Sequence, residues 1–520
     1  MMSRGGRRMG RAILAGLALL GAGLGPLGVV VVHPQVGEPR RGTPRHRLVV
    51  STGTDVITVN PFEVSVTTPD FQVTTNLYDP LVELDREGNL APALATRWAR
   101  VSPTVIQLEL RRGVKFHNGE NFSAEDVKFT FDTLLDPTQG HKLAGRVAFI
   151  DRVEVIDPYT VRIVTRQPEA LALRTLYRQG IVSAAYARAA PQILNRRPNG
   201  TGAYRFVEWV KDDHLSMEAF VGGWRGAPPI RHVAWRPIKE DAARVAALIA
   251  GEVDVAHGVP VDLVPLLERS PHLEVRSVAS LRSYWLMLVN TDPQAPTAKR
   301  AVRQAINHAI DRDELNRAFF AGRAKPLATA VHPSSLGYDP GLRWAYDPER
   351  ARRLLAASGY PQGFTVGLHG SSGRYPRDRE LAQAIAGQLA KVGITVHVQP
   401  LEVGRFTEGI FQKRTAPLVL YAYGDPLRDR TSSLGDNHRS GALWSVIAHP
   451  ALDELIVQAQ RAMDERDRAA VLRRIQAWMM ENAPGAYLLT LVDIYGVNRR
   501  LAWEPRPDDA LRWRDASLQP

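Results

Sequence analysis

From Trp98 to Phe131 the chain reads WARVSPTVIQLELRRGVKFHNGENFSAEDVKFTF, a stretch that dictates its own local structure. Ile106, Leu108 and Leu110 alternate with Gln107 and Glu109, the period of a strand buried on one face, and Gly113 then supplies a turn. Ser123 stands three residues before Asp126, a capping-box spacing, and Val127, Phe131, Leu134 and Leu135 share one face of the helix it opens. Pro137 stops that helix.

The same logic recurs along the chain. Asp347-Pro348-Glu349 is an N-cap followed by proline at the first helical position, with Ala351, Leu354 and Leu355 on the inner face and Gly359 as terminator. Asp311 and Glu314 have capping-box spacing ahead of Leu315. Val471, Leu472, Ile475, Trp478 and Met479 make another amphipathic helix that closes near Pro484. Strands and helices alternate without a repeat period, so the class is mixed α/β. At 520 residues the chain exceeds one compact core, and two or three domains are expected.

Composition removes several kinds of chemistry. No cysteine is present, which excludes disulfides, thiolate metal sites and a cysteine nucleophile. The 14 histidines form neither H-E-x-x-H nor H-x-H, and no G-x-S-x-G occurs; Gly370-Ser371-Ser372-Gly373 lacks the spacing. Glu125 and Asp126 sit in a first helical turn, where the helix dipole accounts for them. No catalytic residue, metal site or cofactor is therefore expected. The net charge of +12 raises nucleic acid as a partner, but the bases are scattered and not clustered with aromatics, so none is expected.

The N-terminus sets the compartment. Arg4, Arg7, Arg8 and Arg11 form a positive region, and Ala12 to Val32 carry no charge before the polar HPQVGEPRRGTPR. This is an export signal, read over residues 1–32 as a signal peptide or an uncleaved anchor, since the apolar run is long enough to span a bilayer. Residues 33–47 read as a linker, and a periplasmic product is expected. Without the four leader arginines, 62 basic residues face 54 acidic ones, a net +8.

The segment LRRGVKFHNGENFSAEDVKFTF resembles the signature of the family 5 extracytoplasmic solute-binding proteins, receptors of ABC importers for peptides and nickel. Similar segments follow in the family's order: NLYDPLVELDREGNLAPAL from Asn76, GTGAYRFVEW from Gly200, WRPIKEDAARVAALIAGEVDV from Trp235 and KRAVRQAINHAIDRDEL from Lys299. The likeness extends over roughly residues 48 to 500. One departure is Ser102-Pro103-Thr104, where the family usually has an Asp-Gly turn. The absence of cysteine also excludes a lipid-modified N-terminal cysteine, the family's usual tether in cells lacking an outer membrane.

The resemblance implies a bilobal periplasmic-binding-protein-like fold of type II with an extra subdomain in lobe I. Lobe I would take residues 48–285, with the inserted subdomain at about 78–200, and would receive the chain again at 490–520. Lobe II would take residues 286–489. Crossings near Tyr284 to Asn290 and Tyr487 to Asp493 would serve as the hinge. The implied role is capture of a peptide or peptide-sized solute and delivery to ABC permease subunits, by a monomer without enzymatic activity. A non-peptide ligand (glutathione, an opine, a sugar or a nickel chelate) is the alternative within the class, and a secreted hydrolase or a membrane-anchored sensor the alternatives outside it.

Four residues are the ligand-binding candidates. Arg374, in GSSGRYPRDRE, lies ahead of a helix with Leu381, Ile385 and Leu389 inward; in dipeptide-binding relatives an arginine here holds the ligand carboxylate. Asp425, in YAYGDPLRD, resembles the aspartate that pairs the ligand's amino group. Ala422 replaces a tryptophan common in peptide receptors. Trp285 and Trp444 are candidate pocket walls.

Overall fold

The computed structural model describes residues 47–519 apart from 65–68, 142, 191 and 373. The leader expected over 1–32, and the linker up to residue 46, lie outside the described residues. No described helix is long and apolar enough to cross a membrane.

A ten-stranded mixed sheet organises the molecule. In spatial order its strands are Ile394–Leu401, Phe364–Ser371, Leu418–Gly424, Leu273–Leu288, Gly485–Asn498, Val255–His257, Arg47–Thr52, His232–Pro237, His214–Ala219 and Tyr204–Val210. The two long central strands, Leu273–Leu288 and Gly485–Asn498, run antiparallel, and their ladder slips between Ala279 and Ser283 and again before Trp285. Such bulges bend a strand and re-aim its side chains. Here the bulge frees the Leu281 backbone, whose N–H donates to the Pro507 carbonyl at 3.2 Å while its carbonyl accepts the Asp425 N–H at 2.9 Å.

The stretch that opened the sequence folds as its pattern requires. Ala95–Ser102 and Val105–Leu110 pair as a hairpin with Ser102 opposite Val105, so Pro103-Thr104 makes the turn in place of Asp-Gly. This hairpin joins Thr160–Thr165 and Ile150–Asp157 in a four-stranded sheet. The helix Ala124–Leu135 starts at its capping box, the Ser123 N–H donating to the Asp126 carboxylate at 2.8 Å. The other carboxylate oxygen of Asp126 accepts from the Ala184 N–H, also at 2.8 Å, so this acid ties the helix to a later segment.

The helix Pro348–Ala357 begins at Asp347, whose side chain accepts the Arg350 N–H, and Glu465–Asn482 ends at Ala483. The Asp311 pattern forms only half of its box. Asp311 accepts the Glu314 N–H, but its own N–H donates to Gln388 Oε1, and Gln388 Nε2 reaches Glu314. A neighbouring helix thus supplies the acceptor that the local spacing assigned to Glu314.

Buried apolar side chains gather in a first cluster drawn from Leu48 to Val255 and from Tyr495 to Ala516, which Leu427 also joins. Alternation on the central strands feeds two further clusters. Tyr284, Leu286 and Leu288 enter one with Leu418, Leu420 and Ala422, while Trp285 and Met287 enter the other with Val419, Tyr421 and Tyr423.

Candidate functional site

The strand Leu418–Gly424 presents Tyr421 and Tyr423 on one face, their rings parallel with centroids 6.3 Å apart. Trp444 stacks on Tyr421 at 5.6 Å, and Trp285 meets Tyr423 edge-on at 5.6 Å. Behind this row His438 lies flat on Trp285 at 4.2 Å. Burial, then the charge of Arg430, holds the His438 imidazole well below its ordinary pKa, so the stacked ring is neutral. Burial also pushes the Tyr423 hydroxyl up to about 12, which keeps it a neutral hydrogen-bonding group.

Asp425 closes the strand and is 1% exposed. Its carboxylate accepts from the Ser335 hydroxyl, and no Lys, Arg or His lies within salt-bridge distance of it among the described residues. Burial, opposed in part by the Arg430 charge, raises its carboxyl above the usual range. Asp429, four residues on, contrasts with it: Arg468 pairs it at 2.6 Å with both side chains buried. Arg430 is fully buried, its guanidinium 4.7 Å from the Tyr423 ring centroid, and its Nε and Nη2 have no hydrogen-bond partner among the described residues.

Arg374 stands between the strand Phe364–Ser371 and the helix Asp378–Ala390. The Asp378 carboxylate pins this loop, accepting from the Arg374 N–H at 3.0 Å and the Ser371 hydroxyl at 2.9 Å. The guanidinium is half-buried, donates to Thr407 Oγ1 at 3.3 Å and lies 5.4 Å from the Tyr375 ring centroid, with no carboxylate in ion-pair range among the described residues. Tyr375 meets Tyr421 edge-on at 6.2 Å, so Arg374 approaches the aromatic row from its Tyr421 end while Asp425 follows Tyr423 in the chain.

Beside this row opens a cleft, two overlapping cavities of ≈ 790 and ≈ 950 Å³. One wall carries Arg146 and Thr175, the other Leu427, Asp436 and Arg439. Trp444 lines the smaller cavity. Trp285 lines neither: it is fully buried, its Nε1 against Gly485, and belongs to the core behind the row. Neither Arg374 nor Asp425 borders the cleft; Asp425 stands next to Pro426, which does. Among the described residues no three His, Asp or Glu come together as metal ligands.

Sequence reasoning missed Tyr421, Tyr423, Ser335, Arg146 and Asp436. The two tyrosines were legible, because Y-x-Y on a strand places both rings on one face. Ser335 and Arg146 carry no local signal, since Ser335 meets Asp425 across 90 residues and the wall that Arg146 shares a cavity with comes from residues 426–444.

Residues 89–440 match the family described as bacterial extracellular solute-binding proteins, family 5 middle. The chain belongs to this family. It is 29% identical over 489 residues to the glutathione-binding protein GsiB of Escherichia coli K12, covering 91% of this chain and 94% of that protein. The Helicobacter pylori ABC transporter-associated periplasmic binding protein DppA, solved with the peptide STSA, superposes with a TM-score of 0.77 at 26% identity, covering 91% and 98% of the two chains. The ABC transporter substrate-binding protein CtaP of Listeria monocytogenes shares the fold with a TM-score of 0.82 at 20% identity, over 91% and 99%. The fold is the type II periplasmic-binding-protein fold, and the protein is an extracytoplasmic solute-binding receptor of an ABC importer.

Proposed function

We propose that this receptor captures a zwitterionic, peptide-sized solute, with Arg374 holding its carboxylate, Asp425 its amino group and Trp444 walling the pocket. One observation carries the reading: a half-buried guanidinium and a buried carboxylate, of opposite sign and each without an ionic partner among the described residues, flank one aromatic row. A buried charge left uncompensated costs about 3 to 5 kcal/mol, and a zwitterion supplies both missing partners. Lobes at 48–285 with 490–520, and at 286–489, close on it. The exported protein loses its leader, works as a monomer and performs no chemistry on its ligand.

Calorimetry with di- and tripeptides tests this. Arg374→Ala and Asp425→Asn should each weaken binding by about 3 kcal/mol or more. Wild-type affinity in either variant removes that residue from the site, and product formation revives the hydrolase. Binding should survive EDTA; a loss restored by nickel would move the ligand to a metal chelate. N-terminal sequencing of periplasmic protein checks the leader, an intact Met1 or Met2 favouring the anchor.

A further inference from the structure

The cleft carries charge that the zwitterion reading leaves unused. Arg146 borders both cavities, and its guanidinium makes neither a hydrogen bond nor an ion pair among the described residues. Arg178 borders the smaller cavity beside it, held over Phe71 with 4.9 Å to the ring centroid, and its Nε is buried without a hydrogen-bond partner. Burial first, then the neighbouring Arg178 charge, lowers Arg146 to about 9. Two guanidiniums therefore share one wall with no ion-pair partner among the described residues. On the facing wall Asp436 is the single carboxylate of the smaller cavity and Arg439 adds a third positive charge, so the cavity keeps a positive excess. Guanidinium groups bind carboxylates through charge-assisted, often bidentate hydrogen bonds.

We propose that Arg146 and Arg178 form an anion subsite for a second carboxylate of the solute, which makes the receptor selective for acidic peptides over neutral ones. This rests on the reading of the cleft as a peptide-sized site. Arg374 serves the terminal carboxylate, and the subsite reads a side group on the opposite wall.

The test is calorimetry with the tripeptides Ala-Glu-Ala and Ala-Gln-Ala, which differ by one charge at matched shape. The full-length exported protein should bind the glutamate peptide about tenfold more tightly or better, a gap of about 1.4 kcal/mol. In the double variant Arg146→Gln, Arg178→Gln the gap should fall to about twofold or less, with Ala-Gln-Ala affinity unchanged. Arg146→Gln alone, which removes no side-chain hydrogen bond among the described residues, should give a partial loss and serves if the double variant melts early. Equal binding of both peptides to wild type, with both lost in Arg374→Ala, overturns the subsite and leaves the receptor reading standing. Binding of neither peptide at millimolar concentration removes the peptide reading and the subsite with it.

Discussion

The Tyr177 hydroxyl donates to the Pro426 carbonyl at 2.8 Å, joining the wall that carries Arg178 to the loop that begins at Asp425. Arg174 Nη1 reinforces the join, donating to the carbonyls of Gly88 at 2.8 Å and Leu427 at 3.2 Å, and Leu427 itself enters the first core. The candidate amine partner and the contacts across the cleft thus sit in consecutive residues, Asp425 to Leu427.

Under the proposed closure of the lobes, removing one of these hydrogen bonds should weaken the closed form without touching the ligand. Tyr177→Phe should cost about 0.5 to 1.5 kcal/mol, seen mainly as a faster ligand off-rate by stopped-flow fluorescence. An unchanged off-rate with unchanged affinity would show that the join does not follow closure.

The two aspartates of the 425–430 loop should behave oppositely in the empty protein. Asp429→Ala strands the buried Arg468 and should destabilise by about 3 to 5 kcal/mol in urea unfolding. Asp425→Asn keeps a partner for Ser335 and removes a desolvated charge that no cation pairs among the described residues. The empty variant should match wild type within about 1 kcal/mol or exceed it. Equal destabilisation by both would make Asp425 a structural residue.

What the sequence disclosed follows from the range of its signals. The Ser123 capping box, the Asp347 cap and the strand alternation from Ile106 to Leu110 are encoded within a turn or two of chain, and each appears as read. Asp311 fails by half because Gln388, 77 residues away, supplies its acceptor. The site is less legible for the same reason. Ser335 meets Asp425 across 90 residues, and Arg146 faces Asp436 only once the chain has crossed the central strands. Trp285 and Trp444 look alike as sequence candidates, yet one face of the Leu273–Leu288 strand buries Trp285 under His438 while Trp444 reaches the cavity.

His332 should make stability fall on the acid side. It is 2% exposed, with Nε2 3.0 Å from the Ser280 carbonyl and the Ser334 N–H donating to Nδ1 at 3.1 Å, an arrangement that fits the neutral ring protonated at Nε2. Burial, then Arg430, lowers it to about 3, against about 6.5 in the unfolded chain. The unfolded state therefore binds the extra proton first, so the contribution is whole above pH 6.5 and is lost as pH falls toward 3. The slope from this group is about 1.4 kcal/mol per pH unit between those limits. Urea unfolding at pH 7, 6 and 5 should show a shallower decline in His332→Gln than in wild type; parallel declines would show that His332 is protonated when folded.

The packing of Trp285 yields the last prediction. A Cβ added at Gly485 would stand 1.8 Å from Trp285 Nε1, well inside contact distance, and both residues lie in the central pair of strands, where neither backbone has room to retreat. Gly485→Ala should therefore destabilise by about 1 to 3 kcal/mol, the usual cost of overpacking a close-packed core. If Trp285 acts only behind the aromatic row, the variant should keep its preference among peptides while its unfolding midpoint drops. Calorimetry and urea unfolding on the same preparation separate the two effects. A change in ligand preference at unchanged stability would instead place Trp285 in contact with the solute, and would mean that the ring leaves its stack on His438 when ligand binds.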